Sequence, residues 1–254
     1  MQMYPYLLPL VPDIMENSSN RNQGDVTAMF DNIAHSYDFL NHLLSFGIDR
    51  YWRRKAVRII GRAYVSPEIL DVAAGTGDLS LAAMKISPRH ITGIDVSSKM
   101  LELGRKKILR KGLDGIIDLR EGDSENIFFP DGTFDVAMVA FGVRNFNDPL
   151  KGLKEMKRVV REGGMVLVLE FSRPVRFPVR QLYNFYFLHI LPFIGKVFSG
   201  DGGAYRYLPE SVLQFPDNDS FMSLMSDAGL ESVRQKRLTF GIASIYTGLK
   251  LPKQ

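Results

Sequence analysis

A short glycine-containing stretch after an apolar run constrains the fold of this chain more than any other feature. Residues 70–78 read Leu-Asp-Val-Ala-Ala-Gly-Thr-Gly-Asp, and the residues up to 86 have the apolar spacing of a helix. Glycine lets such a turn bring its backbone close to a ligand, because glycine has no Cβ. The first N–H groups of the following helix also favour anionic or polar ligands. We therefore predict a buried strand, a tight binding turn and a helix start here.

The turn differs from two common nucleotide-binding motifs. It is not a Walker A loop, because no Gly-Lys-Ser/Thr sequence follows the glycines. It is also not a complete dinucleotide-binding motif, because Ser80 stands where that motif has its third glycine or an alanine. An NAD-dependent oxidoreductase stays open as the rival enzyme class, and a non-catalytic nucleoside-binding adapter is a second rival. An ordinary strand-to-helix turn without a ligand is the third alternative.

Composition excludes several classes of function. The 254 residues are 45% hydrophobic and 24% charged, which suits a globular domain with insertions. The absence of cysteine excludes disulfides, thiol catalysis and cysteine-ligated metals, and the four histidines lack the spacing of metal ligands. We therefore predict no metal site. The net charge of +4 comes from basic clusters that fit solvated helix faces, and we predict no nucleic-acid partner.

The N-terminal region has two predicted parts. Residues 1–25 are expected to be a flexible tail, with Met15 as an alternative start, because the apolar residues 1–15 lack the basic region of a signal peptide. Residues 26–64 have three helical patterns and are expected to form a helical cap over the strand ends. No run of apolar residues is long enough for a membrane span, and we predict a cytoplasmic protein.

Beyond the glycine turn, strand and helix patterns alternate. Strands are predicted at 69–72, 90–96, 116–121, 134–141 and 165–171, with helices at 97–111 and 148–161. This alternation predicts an α/β fold in which helices cover both faces of a parallel sheet. Two further strands, at 230–238 and 241–249, are expected to close the sheet as a hairpin. Ligands bind such sheets at the carboxyl ends of the strands.

Polar and small residues follow several of these predicted strand ends. Asp95 comes 18 residues after Gly77, which is close to the distance at which an acid binds ribose hydroxyls, although capping of the next helix is the alternative. Asp123 could pair with an adenine amino group beside Ser124, or both could form a plain turn. The predicted cofactor contacts are Asp71, Ala73, Gly75, Thr76, Gly77, Asp95, Val96, Asp123 and Ser124.

Residues 172–208 are unusually rich in aromatic residues. They fit either a buried helical hairpin or a lid over a large apolar ligand that touches a membrane. In the second interpretation an apolar face is flanked by basic groups, as in interfacial segments. The apolar residues are Phe177, Tyr183, Phe187, Ile190, Leu191, Phe193 and Phe198. The basic residues are Arg173, Arg176, Arg180 and Lys196.

Five segments together resemble the menaquinone and ubiquinone biosynthesis C-methyltransferase family. They are Phe-Asp-Asn-Ile-Ala-His-Ser-Tyr-Asp at 30–38, Gly-Ile-Asp-Arg-Tyr-Trp-Arg-Arg at 47–54, the turn at 70–78, Phe-Gly-Val-Arg-Asn at 141–145 and Tyr-Arg-Tyr-Leu-Pro-Glu-Ser at 205–211. The resemblance extends over residues 26–250. The chain departs from the family pattern at Ala74, where the family usually has glycine.

The resemblance implies a class I S-adenosylmethionine-dependent methyltransferase. The expected fold is a Rossmann-like, seven-stranded, three-layer sandwich with an N-terminal helical cap and an inserted aromatic helix, all in one domain at 26–254. The implied cofactor is S-adenosyl-L-methionine and the implied substrate is a polyprenyl quinol. Demethylmenaquinol is the first expectation and a ubiquinone-precursor benzoquinol the second. A weak peripheral membrane contact and a homodimer are the other partners considered.

A quinol ring carbon becomes nucleophilic when the neighbouring hydroxyl loses its proton. The site therefore needs a base, or a cation that stabilises the oxyanion. We assign Arg144 to quinolate stabilisation, Asn145 to the other quinol oxygen and Tyr37, on the cap, to a proton relay. The alternatives are an ion pair between Arg144 and Asp148 and a core position for Tyr37. No aspartate or histidine stands out as the base.

Overall fold

The computed structural model describes residues 31, 47–185, 211–212 and 214–252. A seven-stranded sheet forms its centre, and the strand order is β3-β2-β1-β4-β5-β7-β6. The strands are β1 (Glu68–Val72), β2 (His90–Asp95), β3 (Ile117–Glu121), β4 (Phe134–Ala140), β5 (Val160–Phe171), β6 (Glu231–Leu238) and β7 (Ala243–Leu249). Strands β1 to β5 are parallel, whereas β7 is antiparallel to both β5 and β6. The predicted parallel sheet with a closing hairpin is confirmed.

Helices cover both faces of this sheet. They are α1 (Ile48–Ala63), α2 (Asp78–Ala83), α3 (Ser98–Leu109), α4 (Pro149–Val159), α5 (Val179–Phe185) and α6 (Asp219–Asp227). Apolar side chains of α1, α2 and α3 pack in one core cluster, and those of α4 and α6 pack in the other. The sheet therefore lies between two helical layers, as predicted. Within the described residues, no helix is both long and apolar enough to cross a lipid bilayer.

Helix α1 differs from the prediction of a cap over the strand ends. Its buried stripe, which includes Trp52, Ala56 and Ile60, belongs to the core of one sheet face. The helix follows Gly47, and Asp49 lies in its first turn. The apolar stripe extends over nearly the whole helix, so α1 covers the sheet along its length. The rest of the predicted cap and the domain boundary at 25/26 lie outside the described residues.

Strand β5 begins earlier than predicted. The strand was predicted at 165–171, but it already starts at Val160. Its pairing with β4 shifts register between Phe134 and Val136. A Cβ on Gly164 would lie 2.8 Å from the carbonyl oxygen of Arg161 and 2.9 Å from that of Asp135. Glycine here allows a close backbone approach within an irregular strand, so it does not end the pairing.

Candidate active site

The site lies where the strand order reverses. Strand β1 has β2 on one side and β4 on the other, so the connections after β1 and β4 lead to opposite sides of the sheet. A crevice at such a switch point is the usual ligand site of an open α/β sheet. The glycine turn follows β1, and the segment at 141–145 follows β4. The structure thus brings together the two segments that the sequence analysis selected for cofactor binding and catalysis.

The backbone of both segments is strained. Gly75 and Gly77 have φ values of 55° and 79°, and Ala73 has a φ of 52° although it carries a side chain. Across the crevice, Phe141 has a φ of 59°. Non-glycine residues in this region cost free energy and cluster at ligand sites. Ala74 is not among the residues with positive φ, so its methyl group fits the turn without such strain.

A small pocket opens at the turn, and its chemistry fits a nucleoside-containing ligand that carries a cation. Its lining combines small residues of the turn with two acids. The lining residues are Arg53, Asp71, Ala73, Ala74, Gly75, Thr76, Asp78, Leu79 and Ala140. Five of the nine predicted cofactor contacts, Asp71, Ala73, Gly75, Thr76 and Gly77, lie in or at this turn. Gly77 is the residue immediately before α2.

Asp71, on β1 just before the glycine turn, links the strand to the start of α2. The carboxylate is buried, and its Oδ2 accepts a hydrogen bond from Ser80 Oγ at 2.6 Å. Burial raises the pKa of Asp71 to about 7, although the bonds from Ser80 and the charge of Arg53 act in the opposite direction. Ser80 occupies the place of a third dinucleotide glycine, and here its hydroxyl fixes Asp71.

Asp71→Asn should remove a pH dependence of stability. A carboxyl with a pKa of about 7 in the folded chain and about 3.9 when unfolded binds more protons when folded. Its contribution to stability is therefore greatest below pH ~4 and is lost as pH rises to ~7, on the order of 4 kcal/mol at most. We expect the free energy of unfolding, measured by urea titration from pH 4 to 7.5, to fall less steeply in Asp71→Asn. The exposed Asp114→Asn is the control, and equal slopes in all three proteins would contradict the expectation.

Asp95 links the second strand to the glycine turn. Its Oδ2 accepts a hydrogen bond from Gly75 N at 2.8 Å, and its Oδ1 accepts one from Ser97 N at 2.9 Å. Burial raises the pKa of Asp95 despite these bonds. Ser97, and not Asp95, caps α3, because Ser97 Oγ accepts from Met100 N. A carboxylate oxygen can accept a second hydrogen bond, so these contacts leave room for the ribose role of Asp95, which stays a prediction. The contact of the exposed Val96 also stays a prediction.

Asp123 and Ser124 form a turn after β3. Asp123 Oδ1 accepts from Glu125 N at 2.9 Å, and the Asp123 carbonyl accepts from Asn126 N at 3.2 Å. Ser124 is buried. The local geometry is that of the plain-turn alternative, and it also places both residues beside β2 at the carboxyl edge. Their adenine contact stays a prediction.

Two basic residues at the turn were missed by the sequence analysis. Lys107 Nζ donates to Thr76 Oγ1 at 3.0 Å and to Asp78 Oδ1 at 2.7 Å, although its cluster was interpreted as a solvated helix face. The buried Arg53 forms an ion pair with Asp49 and approaches Asp78 to 4.0 Å. The contacts of Lys107 with Thr76 and Asp78, and of Arg53 with Asp78, join residues of different elements, so nothing in the local sequence indicated them.

Arg144 is a largely buried cation at the end of β4. Its Nη1 donates to Glu170 Oε1 and to the carbonyl of Phe141, both at 2.7 Å, and its side chain is only 6% exposed. The ion pair considered with Asp148 is absent among these contacts, because Asp148 Oδ1 instead accepts from Lys151 N and caps α4. Asn145 follows in the same short 3₁₀ helix. Tyr37 lies outside the described residues, and the three catalytic roles stay predictions.

An aromatic cluster borders the crevice on the α1 side. The Phe141 and Phe171 ring centroids are 4.7 Å apart, and Trp52 lies 6.1 Å from Phe141 and 6.0 Å from Phe171. Trp52 Nε1 donates to Thr239 Oγ1 at 2.7 Å, which joins α1 to the β6–β7 connection. The cluster provides an apolar wall next to Arg144. Among the described residues, no group of three or more histidine, aspartate or glutamate side chains is placed to hold a metal ion.

The fold is that of class I methyltransferases. A SAM-dependent methyltransferase from Thermotoga maritima matches with a TM-score of 0.62 at 20% identity, over 88% of this chain and 98% of its own. Phosphoethanolamine N-methyltransferase 2 from Haemonchus contortus, solved with S-adenosyl-L-methionine, matches with a TM-score of 0.56 at 13% identity, over 82% and 57%. At these identities the likeness concerns the fold alone.

Sequence relatives are more specific. The profile of the ubiE/COQ5 methyltransferase family matches residues 15–250, and the chain belongs to this family. A ubiquinone/menaquinone biosynthesis C-methyltransferase UbiE from Geotalea daltonii is 49% identical over 89% of this chain and 96% of its own length. A demethylmenaquinone methyltransferase from Bacteroides fragilis is 42% identical over 92% and 96%. The resemblance inferred from the five sequence segments is confirmed.

Proposed function

We propose that this chain transfers a methyl group from S-adenosyl-L-methionine to a ring carbon of a polyprenyl quinol, with demethylmenaquinol as the substrate. The observation that carries the proposal is the fixed cation Arg144 beside the glycine turn, in a chain that is 42% identical to a demethylmenaquinone methyltransferase. A benzoquinol precursor of ubiquinone is the second candidate. It is favoured by the 49% identity to a relative named for both quinone pathways.

The glycine turn and its neighbours would hold the cofactor. The turn offers close backbone approach at Gly75, with Asp71 and Asp78 in the pocket lining and Asp95 bonded to Gly75 N. When bound, S-adenosyl-L-methionine supplies a methyl group that is already activated by its sulfonium. The protein therefore has to orient the acceptor and stabilise the charge on its oxygen.

Arg144 and Asn145 would supply that stabilisation. A quinol oxygen that loses its proton becomes an oxyanion, and a preorganised cation at this point lowers the barrier for attack by the adjacent ring carbon. The aromatic cluster of Trp52, Phe141 and Phe171 would exclude water beside it and strengthen the interaction. Tyr37 is kept as the proposed proton relay. We also propose that two copies of the chain form a homodimer.

The direct test uses purified protein with methyl-labelled cofactor and each quinol in turn, kept reduced. We expect label in menaquinol when demethylmenaquinol is supplied and little or none in the benzoquinol product. Label in the benzoquinol alone would reverse the choice of substrate. Calorimetry with S-adenosylhomocysteine and with NADH separates the enzyme classes, because NADH binding without S-adenosylhomocysteine binding would refute the methyltransferase proposal.

We also propose that the protein acts in the cytoplasm and touches the inner face of the membrane, where its substrate resides. Four large apolar side chains of residues 175–185 are at least 55% exposed, and Phe240 on the β6–β7 connection is 81% exposed. A Cβ on Gly241 would lie 3.6 Å from Cα of Pro174, so this connection adjoins the same segment. The four residues are Val175, Phe177, Leu182 and Phe185.

The structure changes which residues support this contact. Tyr183 is buried, so it does not belong to the predicted exposed face. Arg173 is exposed, but its Nη2 pairs with Asp217 Oδ1 at 2.8 Å, so its charge is partly offset. Arg176 and Arg180 are exposed beside the apolar residues. The predicted contributors Phe187, Ile190, Leu191, Phe193, Lys196 and Phe198 lie outside the described residues, as does the predicted lid beyond residue 185.

Replacing Arg176 and Arg180 by Ala should release the protein from anionic vesicles. Each basic group near such a surface contributes about 1 kcal/mol, so the pair accounts for about 2 kcal/mol, or roughly 30-fold in partitioning. We expect flotation with phosphatidylglycerol-containing liposomes at low salt, and its loss in the double variant or at high salt. Arg58→Ala with Arg62→Ala removes the same charge from the exposed side of α1 and is the matched control. Equal flotation of both double variants would contradict a docking role for this surface.

A further inference from the structure

The carboxyl end of β5 carries a buried acid that the proposed reaction leaves without a role. Glu170 is fully buried, and its Oε1 accepts from Arg144 Nη1 at 2.7 Å and from Phe171 N at 2.8 Å. Its Oε2 accepts no hydrogen bond from any residue that the structure describes. A buried carboxylate oxygen without a partner lowers stability, so its presence needs an explanation.

Stability alone does not explain this acid. The preceding positions on the same face of β5 are Val166 and Val168, both fully buried in the core. An apolar residue at 170 would continue that pattern, and replacing a buried ion pair by apolar residues is often neutral or stabilising. Strands β4 and β5 are already joined at their amino ends by an ion pair of 2.6 Å between Arg161 and Asp135.

We propose that Glu170 is a positioning residue for methyl transfer, whose carboxylate holds the Arg144 guanidinium in place at the carboxyl edge of the sheet. The inference rests on the proposed function and extends it. Glu170 fixes Nη1 of Arg144 together with the Phe141 carbonyl, so one end of the planar fork is held at two points. Arg144 then meets the acceptor oxygen as a preorganised cation, and no reorganisation is needed during the reaction.

The charged groups around Glu170 determine the expected pH behaviour. Arg144 faces it from the segment after β4, and Tyr183 faces it from α5, with the Arg173–Asp217 pair beyond. Ser244 is opposite Glu170 on β7. Burial raises the pKa of Glu170, while Arg144 and the backbone bond from Phe171 oppose the rise. Protonation of Glu170 weakens the hold on Arg144, so kcat falls as pH is lowered through that pKa.

Glu170→Gln tests the charge while it keeps the shape of the side chain. We expect kcat to fall about 10²-fold, the cost of a displaced catalytic group, with KM for the quinol little changed. The remaining activity of Glu170→Gln should lack the acidic limb of the wild-type pH profile. Glu170→Asp, which keeps the charge, should recover part of kcat and the acidic limb. Binding of S-adenosylhomocysteine, which should stay within twofold of wild type, shows that each variant is folded.

Two comparisons separate positioning from a structural role. Asp135→Asn breaks the ion pair at the opposite ends of β4 and β5, and it should leave kcat and the pH profile unchanged. In the double variant Arg144→Lys/Glu170→Gln, the loss should equal that of Arg144→Lys alone, because Glu170 acts through Arg144.

The inference is overturned if Glu170→Gln retains the acidic limb with kcat within twofold of wild type, or if the two losses multiply in the double variant. It is also overturned if Asp135→Asn reproduces the Glu170→Gln profile. Absence of turnover by the wild-type chain with every quinol would refute the proposed function and this inference with it. Turnover by the wild type with an unchanged Glu170→Gln profile refutes this inference alone.

Discussion

Arg144→Lys is expected to lower the rate of quinol methylation by about 10²–10³-fold while the protein still binds S-adenosylhomocysteine. Lysine keeps the positive charge but lacks the planar fork with which arginine contacts two oxygens at once. The loss of one preorganised oxyanion donor typically costs this much in rate. The Arg144 guanidinium bonds to Glu170 and to the Phe141 carbonyl, so we expect the variant to leave the glycine turn in place. The measurement is single-turnover methyl transfer at saturating quinol, with cofactor-product affinity from calorimetry.

Arg161→Lys is the matched control for this variant. Arg161 also joins β4 to β5 through a carboxylate, but it lies at the amino ends of the strands and its side chain is 41% exposed. We expect a small change in stability and no change in rate for Arg161→Lys, since exposed ion pairs contribute little. If Arg144→Lys turns over at a near-normal rate, Arg144 has no part in the mechanism, and the proposed role of Glu170 is lost as well.

The strand ends could be predicted from the sequence because each depends on local pattern. Apolar runs of four to seven residues ended at small or polar residues, and parallel strands bring those ends to one edge. The glycine turn and the segment at 141–145 therefore met as expected. The cap at Ser97 was also predictable, because an N-cap bond reaches only three residues along the chain, here to Met100.

The partners of the charged side chains could not be predicted in the same way. Arg144 and Glu170 are 26 residues apart, and they meet because β4 and β5 are neighbours in the sheet. The sequence suggested Asp148 as the ion-pair partner of Arg144 because the two residues are close in the chain. In the structure the Asp148 carboxylate instead caps the first turn of α4. The contact between Lys107 and Thr76, which are 31 residues apart, likewise depends on the packing of separate elements. Residue pattern indicates which groups lie at the edge, whereas strand order determines which of them pair.

The position of Glu170 illustrates this limit. Glu170 lies at the end of a predicted strand that otherwise reads as apolar, and the sequence indicated no role for it. The predicted strand already placed it near the carboxyl edge, but only the order of the strands shows that it lies within reach of Arg144. Glu170 draws attention because its side chain is buried and its Oε2 has no hydrogen-bond partner among the described residues. The linear sequence shows neither property.

Gly142→Ala is expected to weaken cofactor binding about tenfold or more and to lower the free energy of unfolding by about 1–3 kcal/mol. A Cβ at residue 142 would lie 2.7 Å from Cβ of Ala73 and 3.0 Å from Cγ2 of Val139. Ala73 already has a φ of 52°, so it cannot relax readily, and the glycine turn would be pushed away from the end of β4. Affinity for S-adenosylhomocysteine by calorimetry and unfolding in urea measure the two effects.

Two further variants show whether this contact between the segments after β1 and β4 is the cause. Gly115→Ala adds the same methyl group where nothing lies within 4 Å, so we expect wild-type affinity and equal or slightly greater stability. Ala73→Gly in the Gly142→Ala background removes the opposing methyl group and the strained φ together, so binding should return. Wild-type affinity in Gly142→Ala alone, or no recovery in the double variant, would show that the spacing of these two segments does not control the cofactor site.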